Sequence, residues 1–153
     1  MNARPIIRVL ESRDVETILA IQSGCPEVAQ WIAEDYVRVA NGEMAGWVAE
    51  EEGRVLGFLI ARRIMSEIEV LNLAVEAASR GRSVGSSLLH RSLEWANEFQ
   101  AERAILEVRE SNLSALHFYE RRGFQAVGRR PRYYTSPAED ALVLSKSLLP
   151  VAG

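Results

Sequence analysis

Residues 71–89, LNLAVEAASRGRSVGSSLL, decide the fold. Leu71-Asn72-Leu73-Ala74-Val75 is a short apolar run that reads as a buried strand. Past a turn rich in Arg, Gly and Ser, the residues Val84, Leu88, Leu89, Trp95, Ala96 and Phe99 recur at the spacing of one helix face. A strand, a turn of small residues and a helix start together present backbone N–H groups to a ligand. The helix dipole favours a negative one, so phosphate is the natural guest. Arg80 and Arg82 add two full positive charges to the same turn. The stretch reads as a pyrophosphate cradle.

A Walker loop would need Lys-Ser or Lys-Thr after its glycines, and the turn has neither. A dinucleotide fingerprint needs three spaced glycines and an acid about 20 residues on, whereas this turn holds Gly81 and Gly85. A plain strand–helix turn with two exposed arginines is the remaining alternative on the residues alone. In register, Val75, Arg80-Gly81-x-Ser83-x-Gly85 and Leu88-Leu89 resemble the acetyl-CoA signature of the GNAT N-acetyltransferases, Arg/Gln-x-x-Gly-x-Gly/Ala. Ser83 stands where that family usually has glycine, so a left-handed backbone there would strain it.

With 153 residues, 48% apolar and 25% charged, the chain suits one globular domain, 1–153, with its core at about residues 6–148. A net charge of −3 speaks against non-specific nucleic-acid binding. The single Cys25 permits no internal disulfide and suits a reducing cytoplasm. Two histidines and one cysteine assemble no His/Cys metal cluster, so no metal is expected. The start, MNARPIIRVLESRD, lacks the apolar core of a signal peptide. The apolar run 55–61 is far short of the ~20 residues of a membrane helix, so no membrane partner is expected.

In chain order, Ile6 to Leu10 reads as a strand, and Ser12 as the cap of a helix with Val15, Ile18, Leu19 and Ile21 on its apolar face, ended by Gly24. Pro26 suits the first position of a second helix carrying Val28, Trp31, Ile32, Tyr36 and Val39, closed by Asn41-Gly42. Trp47-Val48-Ala49 and Val55 to Ile64, joined through acidic residues and Gly53, form a hairpin. Met65 to Glu69 is expected as a further turn, with Glu67 and Glu69 at its rim and either able to face a substrate cleft. Helices, an antiparallel meander and a strand–turn–helix unit predict an α/β fold with a mixed sheet.

The next strand is Arg103 to Arg109, RAILEVR, with Glu107 on the face opposite Ala104, Leu106 and Val108. A strand this deep in an α/β order is usually covered on both faces. A carboxylate there needs a partner, or its proton affinity rises toward neutral pH, as in a general base. A structural ion pair with Arg103 or Arg109 is the equal alternative. Asn112 caps a helix containing Leu113, Leu116, Phe118 and Tyr119, and Gly123 closes it. On residue type alone, Tyr119 reads as packing.

The run Leu106-Glu107-Val108-Arg109-x-Ser111-Asn112, with Ala115, Tyr119-Glu120 and Gly123-Phe124, resembles the ribosomal-protein-alanine N-acetyltransferases, the RimI group of the GNAT family. Asn72-Leu73-Ala74-Val75, Arg130-x-x-Tyr133-Tyr134 and Glu139-Asp140-Ala141 agree with it, so the likeness covers most of Leu71 to Leu144. Between the first helices this chain has Cys25-Pro26-Glu27-Val28 where that group often carries a Phe-Pro-Trp-Ser-type stretch.

The resemblance implies a mostly antiparallel central sheet with a splayed parallel strand pair that holds acetyl-CoA. It implies that Leu73, Ala74 and Val75 bind the pantetheine and acetyl groups. The run Arg80, Gly81, Arg82, Ser83, Val84, Gly85 and Ser86 takes the pyrophosphate, and Asn112 and Tyr119 complete the cofactor site. Glu107 becomes the general base and Tyr119 the general acid, while Glu69, Arg130, Tyr133 and Tyr134 line the acceptor side. The acceptor expected is the α-amine of a protein or peptide N-terminus, alanine first, in a ribosomal protein. An acetyltransferase of a small amine or a lysine side chain, and a non-catalytic CoA-binding module, remain as rivals.

Overall fold

The computed structural model describes residues 4–135 and 137–150. The first three residues of the amino-terminal stretch, and the ends of the 1–153 span, lie outside the described residues. Seven strands form one sheet: β1 (Ile6–Val9), β2 (Ala45–Glu51), β3 (Arg54–Ile64), β4 (Glu67–Val75), β5 (Arg103–Arg109), β6 (Gln125–Thr135) and β7 (Ala138–Ser147). Their order across it is β1-β2-β3-β4-β5-β7-β6. The helices are α1 (Val15–Ser23), α2 (Ala33–Ala40), α3 (Val84–Glu98) and α4 (Leu113–Glu120). Pairs β1/β2, β2/β3, β5/β7 and β6/β7 are antiparallel, and β4/β5 is parallel. The parallel ladder joins Glu67–Val70 to Arg103–Leu106, and both strands run on past it, to Val75 and to Arg109. The expected mixed, mostly antiparallel sheet with one parallel pair is the sheet observed.

The chain divides into two compact units. One holds the described residues up to Arg62 together with Leu71–Trp95, and the other holds Arg63–Val70 with the described residues from Ala96 onward.

In the first unit, the β2–β3 reversal uses Glu52 at φ 51° and Gly53 at φ +77°. Two successive positive φ values give the turn whose twist matches a hairpin. The core is built from Ile18, Tyr36, Val48, Phe58 and Ile60, none of them exposed. Trp47 meets Trp95 edge-on, with ring centroids 5.5 Å apart. Ser12 does not cap α1; it opens a 3-10 turn, Ser12–Asp14, and Asp14 Oδ2 accepts from the Glu11 N–H at 2.8 Å. Arg8 donates to both Asp14 oxygens at 2.8 Å, and this bidentate pair holds the nearly buried Asp14 carboxyl below its ordinary pKa.

Pro26 starts no helix: α2 begins at Ala33. The reason is that side-chain amides take the backbone groups of the intervening segment. Gln30 Nε2 donates to the carbonyls of Cys25 (3.2 Å) and Val28 (3.0 Å), and Asn72 Nδ2 donates to Ala29 O at 3.0 Å. Gln22 brackets Trp31, accepting from its N–H at 3.1 Å and donating to its carbonyl at 2.8 Å. Such local amide bonds offer the backbone an alternative to the helix.

In the second unit, the turn expected over Met65–Glu69 is shorter. Met65, at φ 55°, reverses the chain and β4 begins at Glu67. Glu67 and Glu69 are therefore strand residues on the half-buried face, alternating with buried Ile68 and Val70. On β5, Ala104, Leu106 and Val108 are buried, whereas Ile105, Glu107 and Arg109 are half-buried, so the strand is covered fully on one face only. Tyr119 of α4 packs edge-on against Phe118 and Phe124, with centroids 5.1 and 5.4 Å away.

Candidate active site

The cradle lies in the first unit. β4 ends at Val75, a short 3-10 turn spans Ala77–Ser79, and α3 starts at Val84. Gly81 has φ +79° and Ser83 φ 66°. The left-handed position that the glycine pattern implies is thus present at Ser83, in a residue that pays sterically for it. Ser83 O then caps the first turn of α3: it accepts from Ser87 N (3.0 Å), Ser87 Oγ (2.8 Å) and Ser86 Oγ (3.1 Å). The N–H groups of Val84, Gly85 and Ser86, at the start of the helix, have no acceptor one turn earlier within it. That geometry fits a phosphate. No Cβ built on Gly81 would meet any atom within 4 Å, so the approach to the turn is open.

Both arginines of the turn carry partners from the same unit. Arg80 donates to Val75 O (3.3 Å), Cys25 Sγ (3.0 Å) and Glu27 (3.3 Å), and Arg82 donates to Glu51 at 2.7 Å. The Arg80–Glu27 pair is exposed and worth at most about 1 kcal/mol, and the Arg82–Glu51 pair is half-buried with Arg82 still 32% exposed. An incoming pyrophosphate can therefore displace them.

Gly57 is a residue that the sequence reading missed. A Cβ at Gly57 on β3 would stand 2.8 Å from Ala74 O and 3.3 Å from Val75 Cα. Glycine there lets β3 support the end of β4, where Leu73, Ala74 and Val75 offer their backbone groups. The available signal was a lone glycine inside an apolar strand.

The second unit gathers most of the residues proposed for catalysis and the acceptor. Glu107, on β5, has a side chain 14% exposed, and its Oε1 lies 3.1 Å from Arg130 Nη1. The partner is Arg130, not the expected Arg103 or Arg109. Arg109 turns instead to Glu139 (3.3 Å) and to the ring of Tyr134, 4.1 Å from its centroid. Its interaction with Glu107, burial and the negative charges of Glu107 and Glu69 push the Tyr133 pKa up. Burial, with the Glu107 charge, pushes Tyr134 up to about 12. The parallel register sets Glu69 beside Ile105, so Glu69 and Glu107 share one face of the sheet. Glu69, Glu107, Arg130, Tyr133 and Tyr134 thus form one cluster, drawn from β4, β5 and β6.

A bulge in β6 aims the β6 side chains. The β6–β7 register shifts between Arg130 and Tyr134, and Arg132 takes φ 51°. Asp140 secures the bulge, its Oδ1 accepting from Arg132 N at 2.9 Å and its Oδ2 from Arg129 at 3.0 Å. Glu139 accepts from Ser111 N at 2.6 Å, which anchors the chain just before Asn112. Asn112 caps α4 through Oδ1, which accepts from Ala115 N at 3.2 Å. Tyr119 is buried, and desolvation pushes its pKa well above the ordinary value.

Among the described residues, no group of three or more His, Cys, Asp and Glu side chains is placed to hold a metal ion. No helix among them is long and apolar enough to cross a membrane.

The acetyltransferase (GNAT) family profile matches residues 12–124, most of the chain. This protein belongs to that family, and it is an N-acetyltransferase of the acyltransferase class. It is similar to the ribosomal protein bS18-alanine N-acetyltransferase of Escherichia coli K12, 29% identical over 141 residues, which cover 91% of this chain and 95% of that protein. An N-alpha-acetyltransferase of Sulfurisphaera tokodaii is 31% identical over 119 residues, covering 69% of this chain and 71% of that one. Among solved structures, Arabidopsis thaliana NAA60 in complex with acetyl-CoA shares the fold at TM-score 0.84 and 19% identity, over 94% of this chain and 98% of that one.

Proposed function

We propose that the chain acts as one acetyltransferase domain that moves the acetyl group of acetyl-CoA to the α-amine of a protein or peptide N-terminus, alanine first, with a ribosomal protein as the physiological partner. The observation that carries this reading is Glu107: a half-buried carboxylate paired with Arg130, on the same sheet face as Glu69. A site with two carboxylates and two aromatic rings suits an ammonium group. An α-amine has pKa near 8 against about 10.4 for lysine, so a carboxylate base has less to overcome. The names of the Escherichia coli and Sulfurisphaera relatives support the same acceptor class.

In this reading, the N–H groups of the 80–86 turn and the start of α3 hold the pyrophosphate, with Arg80 and Arg82 adding charge once they leave Glu27 and Glu51. Backbone groups of Leu73, Ala74 and Val75 hold the pantetheine and the acetyl carbonyl. An N–H aimed at that oxygen stabilises the negative charge that develops on it as the amine attacks. Asn112 contributes through its Nδ2, since its Oδ1 caps α4. Glu107 takes the proton of the acceptor amine.

Tyr119 serves the leaving sulfur. An ordinary tyrosine, near 10, already sits above a thiol near 8.5, and burial widens that difference. Tyr119 therefore acts chiefly by holding its O–H toward the departing thiolate, with full proton transfer uphill. A cytoplasmic location suits the free, buried Cys25 thiol.

The deciding experiment follows CoA release with a short peptide bearing a free N-terminal alanine. Its control is the same peptide with the α-amine blocked and an internal lysine free. Release with the free terminus alone supports the proposal. Release with both peptides moves the assignment to lysine or broad specificity. Tight acetyl-CoA binding with no release from either peptide refutes acetyl transfer to peptides.

A further inference from the structure

The carboxylate assigned to the acceptor amine is already holding a cation. Arg130 Nη1 lies 3.1 Å from Glu107 Oε1, and the guanidinium sits over the Tyr133 ring, 5.5 Å from its centroid. The two partners differ in freedom. The Glu107 side chain is 14% exposed and that of Arg130 is 59% exposed, so the carboxylate is fixed and the guanidinium is the group able to move. Beside it, Arg129 pairs with Glu110 (2.8 Å) and Asp140 (3.0 Å), and Asp140 also accepts from Arg132 N, so the acidic partners on this part of β6 are taken by the neighbours of Arg130.

We propose that Arg130 is the acceptor-selecting residue of the site, holding Glu107 until the acceptor ammonium replaces it and then donating its freed N–H groups to the carbonyls of a peptide. This inference rests on the reading in which Glu107 receives the acceptor amine. The exchange is cation for cation, so the charge at Glu107 is unchanged until the ammonium gives up its proton to that carboxylate. A peptide brings carbonyl oxygens within reach of a displaced guanidinium. A small amine brings none and leaves the planar fork of donors to solvent. Sites whose hydrogen-bonding groups are left unmatched by an analogue discriminate against it. Because this guanidinium stays half in water, the discrimination is about tenfold rather than the far larger factors of a dry site.

The test compares an alanine-first tetrapeptide with isopropylamine, which keeps alanine's amine-bearing carbon and methyl but lacks its carbonyl. Each acceptor is compared with itself across wild type, Arg130→Lys and Arg130→Ala, which cancels the different basicities of the two amines. Arg130→Ala is expected to lower kcat/KM for the peptide about tenfold, mainly through KM, and to leave isopropylamine equal or improved. Arg130→Lys should recover part of the peptide preference, and the KM for acetyl-CoA should stay within about twofold for all three. Thermal melts check that the exposed substitution leaves the fold intact.

A peptide-to-isopropylamine ratio identical in wild type and Arg130→Ala overturns the proposal, as does an equal fall in kcat for both acceptors. Calorimetric binding of the two acceptors to the CoA-loaded protein reads the same ratio without turnover. A wild type that acetylates neither acceptor, yet shows a binding ratio that Arg130→Ala abolishes, refutes the reaction assigned to Glu107 and sustains the selection by Arg130. Turnover with an unchanged ratio does the reverse.

Discussion

The 80–86 turn and the Glu107 cluster are built by opposite means. The turn is one unbroken run of chain whose proposed recognition groups are backbone N–H donors, oriented by two left-handed residues, Gly81 and Ser83. The cluster is assembled from side chains of β4, β5 and β6, and its geometry depends on a strand register and on a bulge fixed by Asp140. A backbone cradle tolerates changes of side chain as long as its φ angles survive. A side-chain cluster fails when one partner is lost, because each group is positioned by the others. The ion pairs show the same contrast. Arg8–Asp14 is bidentate and largely buried, whereas Arg130–Glu107 has a single contact and an exposed cation. The first is fit to hold structure and the second to be exchanged.

The largest effect should come from removing the base proposed at Glu107. Glu107→Gln keeps the shape and is expected to lower kcat by ~10²-fold or more, with the KM for acetyl-CoA nearly unchanged, measured by steady-state CoA release. A variant within about threefold of wild type would remove Glu107 from the chemistry and leave the cradle as the only functional region.

Gly57→Ala attacks the other region from beneath, at the end of β4 that leads into the turn. The added methyl collides with Ala74 O. A cost of about 2 kcal/mol, and a Tm lower by about 4–8 °C, are expected, together with weaker acetyl-CoA binding by calorimetry. Unchanged affinity would show that the end of β4 does not depend on β3 for its position.

Tyr119→Phe should slow turnover about tenfold without abolishing it, since a thiolate leaves readily by itself. Equal activity of the two forms would take Tyr119 out of the mechanism.

The smallest effect should come from Ser83→Gly. Relief of the left-handed serine is worth about 1–2 kcal/mol, and the added freedom of an unfolded glycine returns about 0.5–1 of it. A Tm higher by about 2 °C with acetyl-CoA affinity within about twofold is expected, because the N–H directions stay as they are. Tightening by tenfold would show that serine had been holding the cradle away from its binding geometry.

The two regions also differ in how far they could be read in advance. The strand–turn–helix form of 71–98 was legible from local spacing, and the left-handed position at Ser83 from the resemblance that puts glycine there. The strand carrying Glu107 and its half-buried face were legible from alternation. The partner of Glu107 was not: nearest charges in sequence suggested Arg103 or Arg109, yet Arg130 reaches it from β6, on the far side of β7 and 23 positions along the chain. The missing helix at Pro26 has the same origin. Its helical start signal is sound locally, but Gln22, Gln30 and Asn72 bond the segment's backbone, and Asn72 arrives from β4, more than forty residues later.

By itself the sequence determined the α/β class, the alternation along β5, the helix that follows the cradle and the residue types available for amine chemistry. These depend on interactions over a few residues, where spacing and backbone preference carry the energy. β6 and β7 were not read from the sequence. Only the tertiary structure decided that Glu107 is held by Arg130, that Gly57 supports the end of β4, and that the arginines of the turn start out paired with Glu27 and Glu51. Each of these is a contact between distant segments, set by strand register and side-chain reach, and a one-residue slip in register would have turned every one of those side chains to the other face.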